Sequence, residues 1–404
     1  MESAHIVGTL ARYTGDFTLA EDVAQEALAV ALVTWPRDGV PANPAGWLLT
    51  TARRRAIDAF RRRSALDERY AAIAHETTEA EEPDWDPDRI EDDVLALIFI
   101  SCHPALSREA QVALTLRVLG GLTSDEIARA FLVPTATVQA RITRAKKTLA
   151  AARVPFEVPA PDERRERLPS VLSVVYLIFT EGSTASAGAA LIRVDLAREA
   201  VRLARMLARL VPDDAETHGL LALLELTASR FPARLDGEGE PVLLEDQDRR
   251  RWDRSAVRRG RAALAVAGRT GGGLGAYGVQ AAIAECHAVA PSVADTAWAK
   301  IVVLYDALGR LAPSPIVSLN HAVAVSMADG PAAALSLVDA LVAEGSLAGT
   351  HLLPTVRGEV LTRLGRTDEA REELAAALAL CRNDGERRVL QRKIVASGPA
   401  EDIH

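Results

Sequence analysis

The chain has 404 residues, room for two to four domains, and is 49% hydrophobic but only 4% aromatic, which favours helices over strands. Its formal net charge of −8 argues against a uniformly cationic nucleic-acid coat, so what matters is how the charge is distributed locally. The three cysteines, Cys102, Cys286 and Cys381, stand far apart, which excludes a disulfide framework or a paired zinc spacing, and no signal peptide or bilayer-spanning apolar run is read.

Residues 5–13 predict a short helix and 19–33 a longer one, with Val23, Ala27, Val30 and Ala31 inward. Asp22, Gln25 and Glu26 then share an acidic and amide face. Trp35, Pro36, Arg37, Asp38 and Gly39 read as a turn. Asn43 and Pro44 introduce a third helix with Trp47, Leu48 and Leu49. Trp47 reads either as a core anchor or as a stacking surface for an unpaired base. Arginine outnumbers lysine 43 to 4, and six of the arginines fall in one block, RRRAIDAFRRR. These are Arg53, Arg54, Arg55, Arg61, Arg62 and Arg63, set against Asp58 alone. Ala52, Ala56, Ile57, Ala59 and Phe60 supply a narrow inner stripe. A helix this cationic repels itself unless something anionic lies beside it. Residues 76–93 invert the charge, with ten acids against Arg89, and Pro83 and Pro87 oppose helix there. The stretch reads as an extended, self-repelling linker.

Residues 123–149 predict two short helices with a break at Val133 and Pro134. Thr123 and Glu126 form a capping box, and Ile127, Ala128 and Phe131 face inward. The second helix starts near Thr135 and buries Val138, Ile142, Ala145 and Leu149. Thr135, Thr137, Gln139, Arg141, Arg144, Lys146 and Lys147 are left on or near its outer face. Such a helix suits a major groove and its phosphates, while an ordinary amphipathic hairpin with a solvated face is the plainer alternative.

The order of these motifs is DVAQEALAVAL, then NPAGWLLTTARRRAIDAFRRR, an acidic linker, and SREAQVALTLRVLGGLTSDEIARAFLVPTATVQARITRAKK. It resembles sigma factors of the extracytoplasmic-function type, in the sigma-70 family. These keep only the second and fourth conserved sigma regions, and the likeness covers residues 1 to about 152. The resemblance implies that Asp22, Gln25 and Glu26 dock on core RNA polymerase. Asn43, Trp47 and the six arginines would melt and read the −10 element, where capturing flipped bases calls for stacking groups and cations. Thr135, Thr137, Gln139, Arg141, Arg144, Lys146 and Lys147 would read the −35 element. The acidic linker is similar to the one that threads the polymerase cleft. Leu132 stands where a turn glycine is usual and Pro134 where a capping Ser or Thr is usual. The first sigma helix normally begins earlier, which suggests a start upstream of Met1.

Beyond Pro155, Pro159 and Pro161, helical patterns recur at 168–179, 191–210, 215–229, 254–267, 277–289, 295–308, 316–327, 332–343, 352–364 and 367–380. The last four align as two pairs offset by roughly 36 residues, the scale of a tetratricopeptide repeat. Leu364, Gly365, Glu369, Ala370, Ala377 and Leu378 carry that texture. Such units stack into a solenoid with a concave binding face. This half, with its PVLLEDQDRRRWDR stretch, resembles the long C-terminal extension of one sigma subgroup. Glu245, Asp246, Asp248 and Asp253 with Arg249, Arg250, Arg251 and Trp252 read as an ion-pair network or docking loop, ahead of a metal or acid–base site. Cys102 with His103 and Cys286 with His287 read as core pairs, and residues 180–188 as an ordinary loop.

The expected fold is all-α. Two small helical sigma domains, at 1–65 and at 93–153 with a helix-turn-helix, flank an acidic linker at 66–92. A tetratricopeptide-like helical solenoid fills 154–404. The expected function is promoter-specific transcription initiation in the cytoplasm, with core RNA polymerase and promoter DNA as partners and the extension as regulator, through a regulatory protein or an intramolecular contact. No enzymatic activity, cofactor, metal or membrane association is expected. The rival is a helix-turn-helix regulator that binds duplex DNA alone and senses a ligand through the solenoid. It needs neither the acidic patch nor the arginine helix, and it usually needs a dimer. A third reading is a scaffold with a vestigial sigma module.

Overall fold

A computed structural model of the chain describes residues 2–64, 87–131, 133–183, 194–237 and 240–396. Most of these residues are helical, and among them the strand-like pairing is an isolated antiparallel bridge between Leu235 and Pro241. The chain divides into two compact units, Met1–Leu177 and Ile178–His404.

The first unit opens with α1 (Glu2–Thr14), α2 (Phe17–Asp38) and α3 (Pro44–Ser64). Asp16 starts α2 by accepting the Leu19 amide at 3.1 Å. The turn expected at Trp35–Gly39 is instead the last turn of α2, which carries Pro36 inside it. The proline removes a single amide on a face where Leu32 and Val33 are exposed, so the freed carbonyl can be hydrated. Gly39, at φ 86°, then ends the helix by donating to Trp35 O. Leu10, Leu49 and Phe60 are fully buried in this module. Each contributes about 1.5–3 kcal/mol by leaving water.

The second module holds α4 (Pro87–Ser101), α5 (Arg108–Val118), α6 (Ser124–Phe131) and α7 (Thr135–Ala151). The acidic segment therefore turns helical at Pro87, because a proline in the first turn sacrifices an amide that has no intrahelical partner anyway. Most of the expected linker lies outside the described residues. Every residue from Asp93 to Cys102 is buried, so α4 is the core rod of the unit rather than an amphipathic surface helix. It packs closely on α1, where a side chain at Gly8 would meet Asp93 Cβ at 2.8 Å. Arg12 pairs with the buried Asp93 at 3.2 Å across the same contact. Both modules thus share one packed unit. It runs past residue 153 because α8 (Pro161–Ser183) is tied to it, with Arg167 donating to Phe99 O at 2.6 Å and Arg108 to Ser170 O at 3.3 Å.

The second unit continues with α9 (Val194–Leu210), α10 (Ala215–Ala228), α11 (Arg254–Arg269), α12 (Ala276–Val289) and α13 (Trp298–Leu311). Then come α14 (Pro315–Ala328), α15 (Pro331–Ala343), α16 (Leu352–Arg363), α17 (Thr367–Leu380) and α18 (Asp384–Ala396). The final helix was not read from the sequence, because its DGERRVLQRKIVA string buries little beyond Leu390. Among the described residues, local cores follow one another along the chain, around Ile301, around Val338 and around Leu374. Serial small cores are what stacked helix pairs produce. Close crossings use glycine, since a side chain at Gly219 of α10 would lie 2.6 Å from the Gly278 amide of α12.

Candidate polymerase and promoter interface

The α6–α7 hairpin forms as its residues dictate. Thr123 N donates to Glu126 at 2.7 Å, and Glu126 N donates back to Thr123 Oγ1 at 3.2 Å. These bonds complete the capping box and hold the Glu126 carboxyl below its ordinary pKa. Val138, Ile142, Ala145 and Leu149 are all buried, and Ile127 and Ala128 join them. Pro134 caps α7 without a side-chain bond, and Thr135 Oγ1 instead donates to Asp125 at 2.7 Å, clasping the two helices. Gln139, Arg144 and Lys147 are exposed, and Thr137 and Arg141 half-buried.

Lys146 departs from the expected outer face. It lies four residues beyond the buried Ile142 and so turns inward, where its ammonium binds Glu21 and, at 2.7 Å, Asp22 of α2. Burial opposes the charge, but the Glu21 and Asp22 carboxylates outweigh it and raise the Lys146 pKa. Glu21 also accepts Arg117 of α5 at 3.2 Å and is buried. Neither Glu21 nor Arg117 was singled out from the sequence. The available signal was an acid at the inner phase of α2, three residues before buried Ala24.

Asp22 and Glu26 are exposed on α2 and Gln25 is half-buried beside them. Glu26 pairs with Arg55 at 2.5 Å. Asn43 caps α3 by accepting the Gly46 amide at 2.9 Å. Trp47 is half-buried, edge-on to Trp35 with ring centroids 5.5 Å apart. Of the arginine block, Arg53 stacks over Tyr13 at 5.1 Å, and Arg54 and Arg61 are exposed. Arg62 and Arg63 continue α3, but their side chains lie outside what is described. Ala52, Ala56 and Phe60 form the inner stripe.

In the second unit the polar stretch near residue 250 is structural. Asp253 caps α11 by accepting the Ser255 and Ala256 amides, Asp248 caps the Arg250 turn, and Trp252 is 2% exposed. All three cysteines are buried, and burial pushes the Cys102 thiol up to about 11. His351, Cys381 and Glu386, not grouped from the sequence, bring potential donor atoms within 4.8 Å of one another. His351 Nε2 lies 3.2 Å from Glu386, so these groups already satisfy one another. The 180–188 segment, read as a loop, begins inside α8 up to Ser183, and its remainder lies outside the described residues. No described helix is long and apolar enough to cross a membrane.

A capped helix-turn-helix with an exposed basic helix, beside a second module carrying an arginine helix, defines a two-module, all-helical class of DNA-binding protein. The sequence matches Sigma-70 region 2 over residues 3–65, Sigma-70 region 4 over 96–149, and a family of unknown function (DUF6596) over 167–268. It is 44% identical over 400 residues to an uncharacterized protein of Rhizobium meliloti (strain 1021), covering 98% of this chain and 94% of that protein. The chain belongs to the sigma-70 family, as an extracytoplasmic-function-like sigma factor with a long C-terminal extension. Its role is sigma-factor-like, in transcription initiation, with domains of the kind that bind core RNA polymerase and promoter DNA. Proteins of this family are non-enzymatic transcription factors.

Proposed function

We propose that this chain directs core RNA polymerase to a specific promoter class in the bacterial cytoplasm, and that the 178–404 unit regulates it. Asp22, Gln25 and Glu26 dock on polymerase. Asn43 and Trp47 with Arg53, Arg54, Arg55, Arg61, Arg62 and Arg63 capture the opened −10 strand, where stacking and backbone neutralisation are both needed. Thr135, Thr137, Gln139, Arg141, Arg144 and Lys147 read the −35 duplex, and Lys146 joins them once released from Glu21 and Asp22. The observation that carries this reading is the face of α7, where Gln139, Arg144 and Lys147 are exposed while Val138, Ile142, Ala145 and Leu149 are buried.

The test is binding of the purified chain to core RNA polymerase, followed by run-off transcription from a promoter library. The full chain is compared with a version ending at Ser183, which keeps α8 whole. Promoter-specific transcripts are expected, and the shortened chain gives the sign of the extension's effect. Tight duplex binding without core binding would instead establish a regulator that acts on DNA alone.

A further inference from the structure

Three arginines of the second unit lie together, and among the described residues none has a carboxylate at ion-pair distance. Arg230 and Arg249 both stack on the Trp252 ring, at 5.5 and 4.8 Å from its centroid. Their hydrogen bonds go to neutral groups. Arg249 donates to His287 O at 2.6 Å and Ala290 O at 2.7 Å, Arg234 to Ser183 O at 2.6 Å, and Arg230 Nε to Gln247 Oε1 at 3.4 Å. Burial, with the charges of Arg234 and Arg249, brings Arg230 down to about 10. Asp295 and Glu386 act on Arg249 and Arg234 only from beyond ion-pair distance, and clustering buried and half-buried cations without a direct ion-pair partner is costly unless something anionic arrives.

Arg230 and Arg234 line a cavity of about 360 Å³. Its wall is otherwise largely apolar. Ile316 and Leu352 border it, each 38% exposed, and Val356 lies beside them. The acids in the wall are already engaged. Glu359 takes the Lys393 ammonium, and Glu386 lies against His351. Glu386 reaches Arg234 with its field but not within ion-pair distance. Against Glu359 and Glu386 stand Arg230, Arg234 and Lys393, which leaves one positive charge over among the wall's carboxylates, guanidinium groups and ammonium.

We propose that this cavity binds a small amphipathic monocarboxylate, with its head on Arg230 and Arg234 and its apolar body against Ile316, Leu352 and Val356. Two guanidinium forks suit one carboxylate, and the single excess charge of the wall matches one negative ligand. The size is that of an ordinary small-molecule site. The site belongs to the extension and does not depend on the polymerase and promoter roles assigned above.

Calorimetric titration of the full chain with octanoate, octan-1-ol and octylammonium tests this. Octanoate is expected to bind saturably, at least tenfold tighter than octan-1-ol, with octylammonium weakest. In an Arg230→Gln, Arg234→Gln double variant, octanoate falls to the level of octan-1-ol while the alcohol is unchanged. Ile316→Glu, at a wall position that is 38% exposed, places a carboxylate in the cavity and weakens octanoate more than octan-1-ol. Octanoate binding no tighter than the alcohol, absence of saturable octanoate binding, or full retention in the folded Ile316→Glu chain would overturn the proposal.

Discussion

Lys146 of α7 donates to both Glu21 and Asp22 of α2, so the helix proposed to read the −35 duplex is tied to the helix proposed to dock on polymerase. Glu21 is 3% exposed and holds Arg117 as well. A buried acid serving two cations resists removal, because both lose a partner they are desolvated to meet. Glu21→Gln keeps the shape but not the charge. It is expected to cost about 3 kcal/mol in unfolding of the first unit, read as a lower urea midpoint at unchanged slope. A midpoint within error of the parent chain would mean that the contact is not populated in solution.

The same contact competes with polymerase docking if Asp22 is a docking residue. Asp22 is mostly exposed, so Lys146 restrains it by about 0.2–1 kcal/mol. Lys146→Met should therefore tighten binding to core polymerase by up to about fivefold, measured without promoter DNA. Asp22→Arg with Glu26→Arg should abolish that binding with only a modest fall in melting temperature, since both side chains are more than half exposed although the new cations face Lys146 and Arg55. Retained core binding in the double variant would move the docking surface elsewhere.

On the DNA side, Arg141→Ala and Arg144→Ala should each weaken binding to the −35 sequence by about 1–3 kcal/mol if they reach base edges. Discrimination against a scrambled −35 sequence would then shrink with affinity. Lys147→Ala should weaken both sequences alike and flatten the salt dependence, as a phosphate contact does. Equal losses on the two sequences for Arg144→Ala would reassign it to the backbone.

The α6–α7 hairpin was legible because its capping box and four-residue stripe are local signals that packing then reinforces. The arginine helix was legible for the same reason, through Ala52, Ala56 and Phe60. Where the sequence misled, a local rule met a tertiary exception. Pro36 looked like a turn, yet α2 runs through it because the exposed carbonyl needs no amide. Pro87 looked like a breaker, yet it sits in the first turn of α4, where no amide is missed. Lys146 looked like one more surface cation, yet its place one turn beyond Ile142 sets it against the buried Glu21, a partner that only the tertiary structure supplies. The Arg230, Arg234 and Arg249 group was hidden because short turns, not periodic helices, bring it together.

His287 supplies a pH test of the second unit. It packs edge-on to Trp298 at 5.2 Å, and its Nδ1 is buried with no hydrogen-bond partner. Burial first, then the charges of Arg230 and Arg249, bring its pKa down to about 4. The folded chain therefore holds the ring neutral where the unfolded chain, near 6.5, takes up a proton. Stability from this group is complete above about pH 6.5 and is lost as pH falls toward 4, to a limit of about 3 kcal/mol. His287→Phe keeps the contact with Trp298 and removes the titration. Its unfolding free energy should fall less between pH 7 and pH 4 than that of the parent chain, measured by denaturant titration at each pH. Parallel curves for the two chains would show that the acid sensitivity lies in other groups.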